Sequence, residues 1–393
     1  MKKKIAILGS TGSIGTTLLN IINLKKNNFE IILLTAHKNY KKLLRQAKKF
    51  DVKNLIITDK TTYDYVSKYI NKNKYNLYNN FKCFRSIFKK KIDYTMSSIV
   101  GLEGLNPTLN IIKYTKVIAI ANKETIICGW KLLKKELKKN NTQFIPVDSE
   151  HFSIWSAINF SPFKVEKIYL TASGGPFHRY NFHKLKNVGL KKALKHPTWK
   201  MGKKISIDSA TMMNKVFEII EAKKIFNVSY KKLEILIHPI SYIHAIVKFS
   251  NGIFNLIGHE TTMKIPIFNS LYFNDNNFLP TPNINLKKLN SVNLSATSIS
   301  FFPSIELIKL MPLKDSLFET VIVSANDYLV ELFLNKKINF KQISTILLKS
   351  IKMKKLSKYK KISPDNISDI VKAKSITIDT IKKNIINYNV KKK

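Results

Sequence analysis

A glycine-rich turn near the amino terminus places the strongest constraint on the fold. The largely apolar residues 4–8 are typical of a strand, and Gly9, Gly12 and Gly15 then follow at three-residue spacing before a helical pattern begins. A strand, a glycine turn and a helix start together expose backbone N–H groups at the helix N-terminus, where a pyrophosphate can bind. The spacing departs from the usual dinucleotide pattern, so a simple tight strand-to-helix turn is the alternative.

The end of the second strand bears on the choice of cofactor. Residues 31–35 predict an apolar strand that ends in Ala36, His37, Lys38 and Asn39. An Asp or Glu at this place would bind the ribose 2′-hydroxyl of NAD, and the sequence has neither here. Because a cation suits a 2′-phosphate, the sequence favours NADP over NAD.

Strand and helix signals alternate through the first 150 residues. Residues 94–100 and 116–121 are typical of strands, and a helix opens between them at Asn106 and Pro107, with proline in the first turn. Repeated strand–helix units indicate a parallel doubly wound sheet. We therefore expect an α/β protein in which residues 1–147 form a Rossmann-like dinucleotide-binding domain.

The remainder of the chain shows two further patterns. Residues 148–273 mix strand and helix signals, and the apolar runs 241–249 and 253–257 flank a Ser-Asn-Gly sequence that predicts a hairpin. This pattern indicates a central α+β domain, and the family resemblance described below implies that it is the catalytic domain. Residues 274–300, rich in Asn, Pro and Ser, predict a linker, and the helical periodicity of residues 301–393 predicts a C-terminal helical domain.

Two carboxylates follow the apolar pair Phe144 and Ile145. Asp148 and Glu150 are two residues apart, so from an extended segment both would project to one side, at the strand end that faces the ligand crevice in open α/β sheets. Glu218 offers a third carboxylate, and such hard oxygen ligands suit Mg²⁺ or Mn²⁺. Taken alone, the Asp-x-Glu pair is more typical of a turn or a helix cap.

A helix with two distinct faces is predicted after residue 212. At about 100° per residue, one face is an apolar stripe and the other carries an amide, an ammonium and a carboxylate. The apolar face comprises Met213, Val216, Phe217 and Ile220, and the polar face comprises Asn214, Lys215 and Glu218. An ordinary surface helix with a solvated polar face is the alternative.

Length and composition narrow the class of protein. A chain of 393 residues exceeds what one hydrophobic core supports, so two or three domains are expected. The net charge of +43 normally suggests a polyanionic partner. Here lysine is spread from end to end with abundant Asn, Ile, Tyr and Phe, whose codons are A/T-rich, so mutational bias in the coding DNA explains the charge and no nucleic-acid partner is expected.

Cysteine usage and hydropathy bear on location. Two cysteines, Cys83 and Cys128, cannot form a disulfide framework, which indicates a reducing compartment. The sequence has no apolar run of transmembrane length. We therefore expect a cytoplasmic protein with no membrane partner.

Seven motifs in order carry a resemblance to a known family. They are GSTGSIG at 9–15, ANKE at 121–124, VDSEH at 147–151, SGGPF at 173–177, HPTW at 196–199, MGKKIS at 201–206 and DSATMMNK at 208–215. With these motifs the chain resembles the 1-deoxy-D-xylulose 5-phosphate reductoisomerases nearly from end to end. The resemblance implies an NADPH-dependent enzyme with a divalent metal, Mg²⁺ or Mn²⁺, with Co²⁺ as a further candidate. It also implies a homodimer.

The same resemblance implies a reaction and roles for individual residues. The enzyme would isomerise and reduce 1-deoxy-D-xylulose 5-phosphate, a phosphorylated sugar, to 2-C-methyl-D-erythritol 4-phosphate in non-mevalonate isoprenoid precursor biosynthesis. The metal ligands would be Asp148, Glu150 and Glu218, and the catalytic residues would be Glu150, Lys123 and His196. The residues that bind substrate would be Lys123, Ser149, Glu150, Ser173, His196, Ser209, Asn214, Lys215 and Glu218. The residues that bind NADPH would be Thr11, Gly12, Ser13, Ile14, His37, Lys38, Asn39, Asn122, Glu124 and Gly202.

The family likeness also implies a lid, and two positions depart from its pattern. The loop near residues 195–203, which contains Trp199, would close over the substrate. His37 stands where a small residue, often Gly, is expected near the adenosine ribose, and Val216 replaces the Gly that commonly follows the Asn-Lys pair.

Two other functions remain as alternatives. An ordinary NADP-dependent dehydrogenase would explain the glycine turn but would give the three carboxylates no role. A basic nucleic-acid-binding protein would explain the charge and nothing else.

Overall fold

The chain forms two structural units, seen here in a computed structural model. The structure describes residues 1–178, 180, 185, 188–199, 201–273, 275 and 277–390, and for residues 386–390 only the backbone. Unit 1 comprises residues 1–125, 132–152 and 262–280, and unit 2 comprises residues 126–131, 153–261 and 281–393. Parts of the predicted lid, linker and helical domain, namely residues 200, 274, 276 and 391–393, lie outside the described residues.

Unit 1 is built around a parallel seven-stranded sheet. Its strands, in chain order, are β1 (Lys3–Leu8), β2 (Phe29–Ala36), β3 (Asn54–Ile57), β4 (Asn76–Tyr78), β5 (Ile92–Ser97), β6 (Thr115–Ile120) and β7 (Gln143–Pro146). The order across the sheet is β4-β3-β2-β1-β5-β6-β7, and every neighbouring pair is parallel. The order reverses between β1 and β5, which confirms the predicted doubly wound sheet and makes that crevice the expected ligand position.

Helices cover this sheet and make up most of the chain beyond residue 300. In the described part of the chain, the α-helices are α1 (Ser13–Leu24), α2 (Tyr40–Phe50), α3 (Lys60–Ser67), α4 (Phe84–Ile87), α5 (Leu105–Ile111), α6 (Lys123–Lys139), α7 (Ser149–Asn159), α8 (Leu190–Ala193), α9 (Lys203–Ala210), α10 (Met213–Phe226), α11 (Lys264–Leu271), α12 (Leu286–Asn290), α13 (Glu306–Leu310), α14 (Phe318–Leu334), α15 (Phe340–Ile351), α16 (Lys354–Ser357) and α17 (Ile367–Val390).

The core of unit 1 includes a helix from much later in the sequence. Ile5 and Ile7 of β1 are fully buried against α1, and α11 contributes Ile267 and Leu271 to the same core. The hydroxyl groups of Tyr94 on β5 and Ser270 on α11 form a hydrogen bond of 2.8 Å. Helix α11 therefore belongs to the dinucleotide-domain core although it follows the central segment in sequence.

Unit 2 contains a second, mixed sheet. Its strands are β8 (Val165–Ala172), β9 (Leu233–Ile237), β10 (Ile243–Phe249), β11 (Phe254–Gly258) and β12 (Ser295–Ala296), in the order β11-β10-β8-β9-β12. Strands β8 and β9 are parallel, and the remaining pairs are antiparallel. The β10–β11 pair confirms the predicted hairpin. The segment interpreted as a linker contains α12 and also β12, which pairs with β9.

One face of this sheet packs on the helix predicted after residue 212. Ile168 and Leu170 of β8 join Ile219 and Ala222 of α10 in one buried cluster. Beyond residue 300 the described residues form helices α13 to α17, as the periodicity predicted. None of the helices in the described part of the chain combines the length and apolar character needed to cross a membrane.

Candidate active site

The glycine-rich turn after β1 lies at the switch point of the sheet in unit 1. Gly9 has a φ of 85°, and a Cβ on it would lie 2.9 Å from the carbonyl oxygen of Ser98. A Cβ on Gly15 would lie 2.5 Å from the Cα of Ser10, so a side chain there would clash with backbone. Gly12 is exposed and is the N-cap of α1, with no side-chain capping bond. The turn therefore offers backbone N–H donors at a helix N-terminus and fits a pyrophosphate.

The ends of β2 and β3 lie side by side next to this turn. The Nδ1 of His37 is 3.0 Å from the hydroxyl of Thr58, and the ammonium of Lys38 is 3.7 Å from Oδ1 of Asp59. Asn39 is the N-cap of α2. The side chain of Lys38 is 69% exposed, so its charge remains available to a ligand. As the sequence showed, no acidic residue follows β2 directly. However, Asp59, which follows the neighbouring strand β3, places a carboxylate beside Lys38.

Asn122 fixes the start of α6, which follows β6. Its side-chain oxygen accepts a hydrogen bond of 3.0 Å from the N–H of Thr125, and its amide donates to the carbonyl of Gly101 at 2.7 Å. Asn122 and Glu124 are both buried. Because Asn122 is an effective N-cap, α6 begins at a defined residue, and Lys123 occupies its first turn.

Two carboxylates, Asp148 and Glu150, follow β7, and Lys123 lies beside the first of them. The ammonium of Lys123 lies 2.7 Å from Oδ2 of Asp148, and both side chains are largely buried. The hydroxyl of Ser149 donates to Oε2 of Glu150 at 2.5 Å. The expectation of an extended segment here is wrong, because α7 begins at Ser149 and the N–H of Phe152 bonds to the carbonyl of Asp148. Glu150 therefore lies in the first turn of a helix.

A histidine and two serines converge in unit 2. Ser173 follows β8, and its hydroxyl accepts a hydrogen bond of 3.1 Å from the N–H of Gly175. The Nε2 of His196 lies 3.0 Å from the hydroxyl oxygen of Ser173 and 3.0 Å from that of Ser209 on α9. A Cβ on Gly175 would lie 2.9 Å from the carbonyl oxygen of Ser209, so the close approach of these two loops requires glycine.

The protonation of His196 follows from its partners. Its Nδ1 accepts hydrogen bonds from the backbone N–H groups of Thr198 at 3.2 Å and Trp199 at 2.9 Å. Burial, and then the nearby charge of Lys215, lower the pKa of His196 to about 4. The ring is therefore neutral near pH 7, and since Nδ1 is an acceptor, the proton is on Nε2.

Helix α10 buries both of its faces. The ammonium of Lys215 lies 2.5 Å from Oε2 of Glu218, and the two side chains are 5% and 1% exposed. The amide of Asn214 donates to the other carboxylate oxygen of Glu218. The alternative of a solvated polar face is wrong, because these charged groups are buried. The predicted apolar stripe is confirmed, with no exposure at Met213, Val216, Phe217 and Ile220.

The described part of the predicted lid lies between α8 and α9. Trp199 is partly buried, and its ring meets that of His244 edge-on, with 6.2 Å between the centroids. Gly202 is the N-cap of α9, and a Cβ on it would meet no atom within 4 Å. The loop thus carries one large aromatic side chain and ends at a sterically open residue.

Asp208 belongs to a buried polar cluster that the sequence analysis did not identify. It accepts a hydrogen bond of 2.7 Å from the amide of Asn326 on α14, and Lys204 lies 3.0 Å from it. Asp208 adjoins Ser209 and is fully buried, so the cluster anchors α9. Asp208 is the first residue of the DSATMMNK motif. Its partner Asn326 is 118 residues away in sequence, so no local pattern predicts their contact.

The doubly wound sheet and the glycine-rich turn define an α/β oxidoreductase of the dinucleotide-binding class, with a second unit built on a mixed sheet. Models of the 1-deoxy-D-xylulose 5-phosphate reductoisomerase family match residues 5–129, and models of its C-terminal domains match residues 144–226 and 259–378. The chain belongs to the 1-deoxy-D-xylulose 5-phosphate reductoisomerase family.

Individual relatives and solved structures agree with this assignment. The reductoisomerase of Pelagibacter ubique (strain HTCC1062) is 57% identical over 94% of this chain and 96% of its own, and that of Wolbachia pipientis wMel is 38% identical over 94% of each. The Zymomonas mobilis enzyme in complex with NADPH has 30% identity and a TM-score of 0.86, covering 97% of this chain and 98% of its own. A reductoisomerase in complex with NADPH, fosmidomycin and magnesium has 29% identity and a TM-score of 0.88, with the same coverage.

The fold class and activity expected from the sequence are therefore confirmed. The protein is an NADP-dependent oxidoreductase that converts 1-deoxy-D-xylulose 5-phosphate to 2-C-methyl-D-erythritol 4-phosphate. Its cofactors are NADPH and a divalent metal. The alternative of a nucleic-acid-binding protein, which explained only the positive net charge, does not account for this family membership.

Proposed function

We propose that Asp148, Glu150 and Glu218 together bind the divalent cation. The three groups are carboxylates, and an all-oxygen donor set suits Mg²⁺ or Mn²⁺. Lys123 lies 2.7 Å from Asp148 and Lys215 lies 2.5 Å from Glu218, so each of these two carboxylates has a cation beside it. The donor set therefore fits the metal that this family uses.

The phosphate of the substrate is assigned to unit 2. Ser173, Ser209, Asn214 and Lys215 supply hydroxyl, amide and ammonium donors, and His196 adds a neutral Nε2–H. Lys215 is 4% exposed, and a buried ammonium binds a phosphate far more strongly than a solvated one. We assign residues 148–261 to catalysis on this basis, because α11 packs in the core of unit 1, and we propose that the lid near residues 195–203 closes over the substrate.

The chemistry divides between the bound groups and the residues of the chain. When bound, the divalent cation would supply stabilisation of negative charge on the substrate oxygens during the carbon–carbon bond rearrangement, and NADPH would supply the hydride for the reduction. Lys123 and Ser149 orient the substrate backbone. Glu150, whose carboxylate accepts a hydrogen bond from Ser149, also relays a proton.

The cofactor is assigned to unit 1. Thr11, Gly12, Ser13 and Ile14 offer the start of α1 to the pyrophosphate, and Lys38 offers its exposed charge to the 2′-phosphate. The remaining contacts are assigned to His37, Asn39, Asn122, Glu124 and, from unit 2, Gly202. By family resemblance we also propose that the protein is a homodimer, is cytoplasmic and has no nucleic-acid or membrane partner.

The buried Lys215–Glu218 pair beside Asn214 is the observation that carries this proposal, because burying an ammonium and a carboxylate on one helix face is costly and such groups cluster at functional sites. The test is NADPH oxidation with 1-deoxy-D-xylulose 5-phosphate, measured with and without Mg²⁺ or Mn²⁺. We expect turnover only with the metal, and formation of the branched product. Metal-independent turnover would assign the carboxylates to another role.

A further inference from the structure

Asp59 is the acidic residue nearest to the cation that we assign to the 2′-phosphate. Strand β3 pairs in parallel with β2, and the N–H of Asp59 bonds to the carbonyl of His37 at 3.3 Å, so the two strand ends are joined. Oδ1 of Asp59 lies 3.7 Å from the ammonium of Lys38. In dinucleotide-binding domains, the adenosine ribose lies at the end of the second strand. A carboxylate from the third strand therefore faces the same place.

The carboxylate of Asp59 is held in place and ionised. Its Oδ2 accepts hydrogen bonds from the hydroxyl of Thr62 at 2.6 Å and from the N–H of Thr62 at 3.0 Å, which makes Asp59 the N-cap of α3. These hydrogen bonds lower the pKa of Asp59, and the charges of Lys38 and His37 lower it further. The group therefore carries a full negative charge at neutral pH and cannot turn away from Lys38 without uncapping α3.

We propose that Asp59 is a specificity-determining residue that limits the preference of this enzyme for NADPH over NADH. A 2′-phosphate in contact with Lys38 must share that ammonium with the Asp59 carboxylate, and the two anions repel each other. NADH carries no phosphate at this position, so Asp59 penalises only NADPH. The inference rests on the proposed contact between Lys38 and the 2′-phosphate.

The opposite role, in which Asp59 positions Lys38 for the phosphate, is disfavoured by the geometry. An N–O distance of 3.7 Å is long for an ion pair, and Lys38 is 69% exposed. An exposed, loose pair orders a lysine side chain very little. Repulsion between the Asp59 carboxylate and the 2′-phosphate, in contrast, does not require an ordered Lys38 side chain.

Asp59→Asn tests the proposal because it removes the charge and retains the cap. Asn is as good an N-cap as Asp, so α3 is expected to stay intact. The probes are adenosine 2′,5′-bisphosphate and adenosine 5′-monophosphate, whose dissociation constants are measured by calorimetry on the full-length enzyme at low ionic strength. Asp64→Asn is the matched control, since Asp64 is also on α3 and paired with a lysine, Lys60.

We expect Asp59→Asn to bind the bisphosphate about three- to tenfold more tightly, from Coulomb repulsion at this range in water. Binding of the monophosphate should change less than twofold, Asp64→Asn should match the wild type, and the gain should shrink at high salt. Unchanged or weaker binding of the bisphosphate by Asp59→Asn would overturn the proposal. If the Asn variant is unstable, the same binding measurement is made on Asp59→Ser, because serine is also a good N-cap and carries no charge.

Lys38→Ala separates this proposal from the one on which it rests. If Lys38→Ala binds the bisphosphate as tightly as the wild type does, the assignment of Lys38 to the 2′-phosphate fails. The Asp59→Asn result then still decides whether the Asp59 carboxylate opposes the 2′-phosphate.

Discussion

The backbone N–H of Trp199 donates to Nδ1 of His196 at 2.9 Å, so the aromatic residue of the proposed lid and the histidine of the proposed phosphate site are joined in one turn. This bond fixes the tautomer of His196. With Nδ1 occupied as an acceptor, the ring presents Nε2–H to Ser173 and Ser209. If the proposed lid moved and took Trp199 away from His196, this hydrogen bond would break. The orientation of the Nε2–H group that we assign to the phosphate would then also be disturbed.

The low pKa of His196 predicts a specific loss of stability in acid. An unfolded histidine has a pKa near 6.5, and that of His196 is lowered to about 4 by burial and Lys215. Between these values the unfolded chain binds a proton that the folded protein does not, so the contribution is complete above pH 6.5 and is lost as the pH falls towards 4. The loss should be on the order of 1 kcal/mol, since partial exposure screens the effect.

Urea unfolding from pH 4.5 to 7 would measure this contribution. His196→Gln should show a smaller fall in unfolding free energy with decreasing pH than the wild type does. His37→Gln, at an exposed position, is the control and should follow the wild type. An identical pH dependence for His196→Gln and wild type would contradict a buried neutral His196.

The three proposed metal ligands predict severe and equivalent losses of turnover. Removing one carboxylate from a divalent site should cost several kcal/mol in the transition state, on the order of a thousandfold in rate or more. Asp148→Asn, Glu150→Gln and Glu218→Gln should each nearly abolish turnover while NADPH still binds. Glu166→Gln, at an exposed carboxylate paired with Lys248, is the control and should remain active.

Binding of Mn²⁺, followed by electron paramagnetic resonance, separates metal loss from misfolding. Glu218→Gln also breaks the buried pair with Lys215, so this variant should lose stability as well, by about 3–5 kcal/mol. Asp148→Asn, whose partner Lys123 is less buried, is the cleaner variant. Wild-type turnover at saturating metal in any one of the three variants would remove that residue from the metal site.

The sequence predicted those parts of the fold that depend on local pattern. Strands β1, β2, β5, β6 and β7 and the β10–β11 hairpin were predicted because apolar runs and turn residues determine them over a few positions, whereas β3 and β4 were not predicted. The helix beginning at Ser149 was missed, because an Asp-x-Glu pair after a strand fits an extended segment as well as a helix cap. Local pattern alone does not decide between the two.

Features that depend on distant segments were not predictable in the same way. The burial of Lys215 and Glu218 requires cover from other parts of the chain, whereas the helical pattern showed only that they share a face. Asp59 lies beside Lys38 because β3 is the neighbour of β2 in the sheet, and strand order was not part of the sequence signal. The contact of Asn326 with Asp208 likewise joins residues from two separate helices.

The exposed charge of Lys38 predicts the cofactor preference. Lys38→Ala should reduce the NADPH preference over NADH by roughly 1–3 kcal/mol, the scale of a charge-assisted hydrogen bond. The measurement is the ratio of kcat/KM for the two cofactors. Lys41→Ala, at an exposed position of α2, is the matched control and should leave the ratio unchanged. Equal efficiency of the unmodified enzyme with both cofactors would contradict the assignment of Lys38.

The last prediction concerns Trp199, which is either part of a lid that closes over the substrate or a residue of the protein core. Its ring is only partly buried and meets His244 edge-on, and the loop continues to Gly202, where no neighbouring atom restricts a side chain. If the loop closes over the substrate, the fluorescence of Trp199 should indicate partial exposure in the free enzyme and shielding once a substrate analogue and Mg²⁺ bind. Trp199→Phe should then abolish this signal and change kinetic constants more than the melting temperature. Trp155 lies on α7, outside this loop, so Trp155→Phe is the control that should retain the signal. A sharp fall in melting temperature for Trp199→Phe, with no ligand-dependent fluorescence in the wild type, would assign Trp199 to the core.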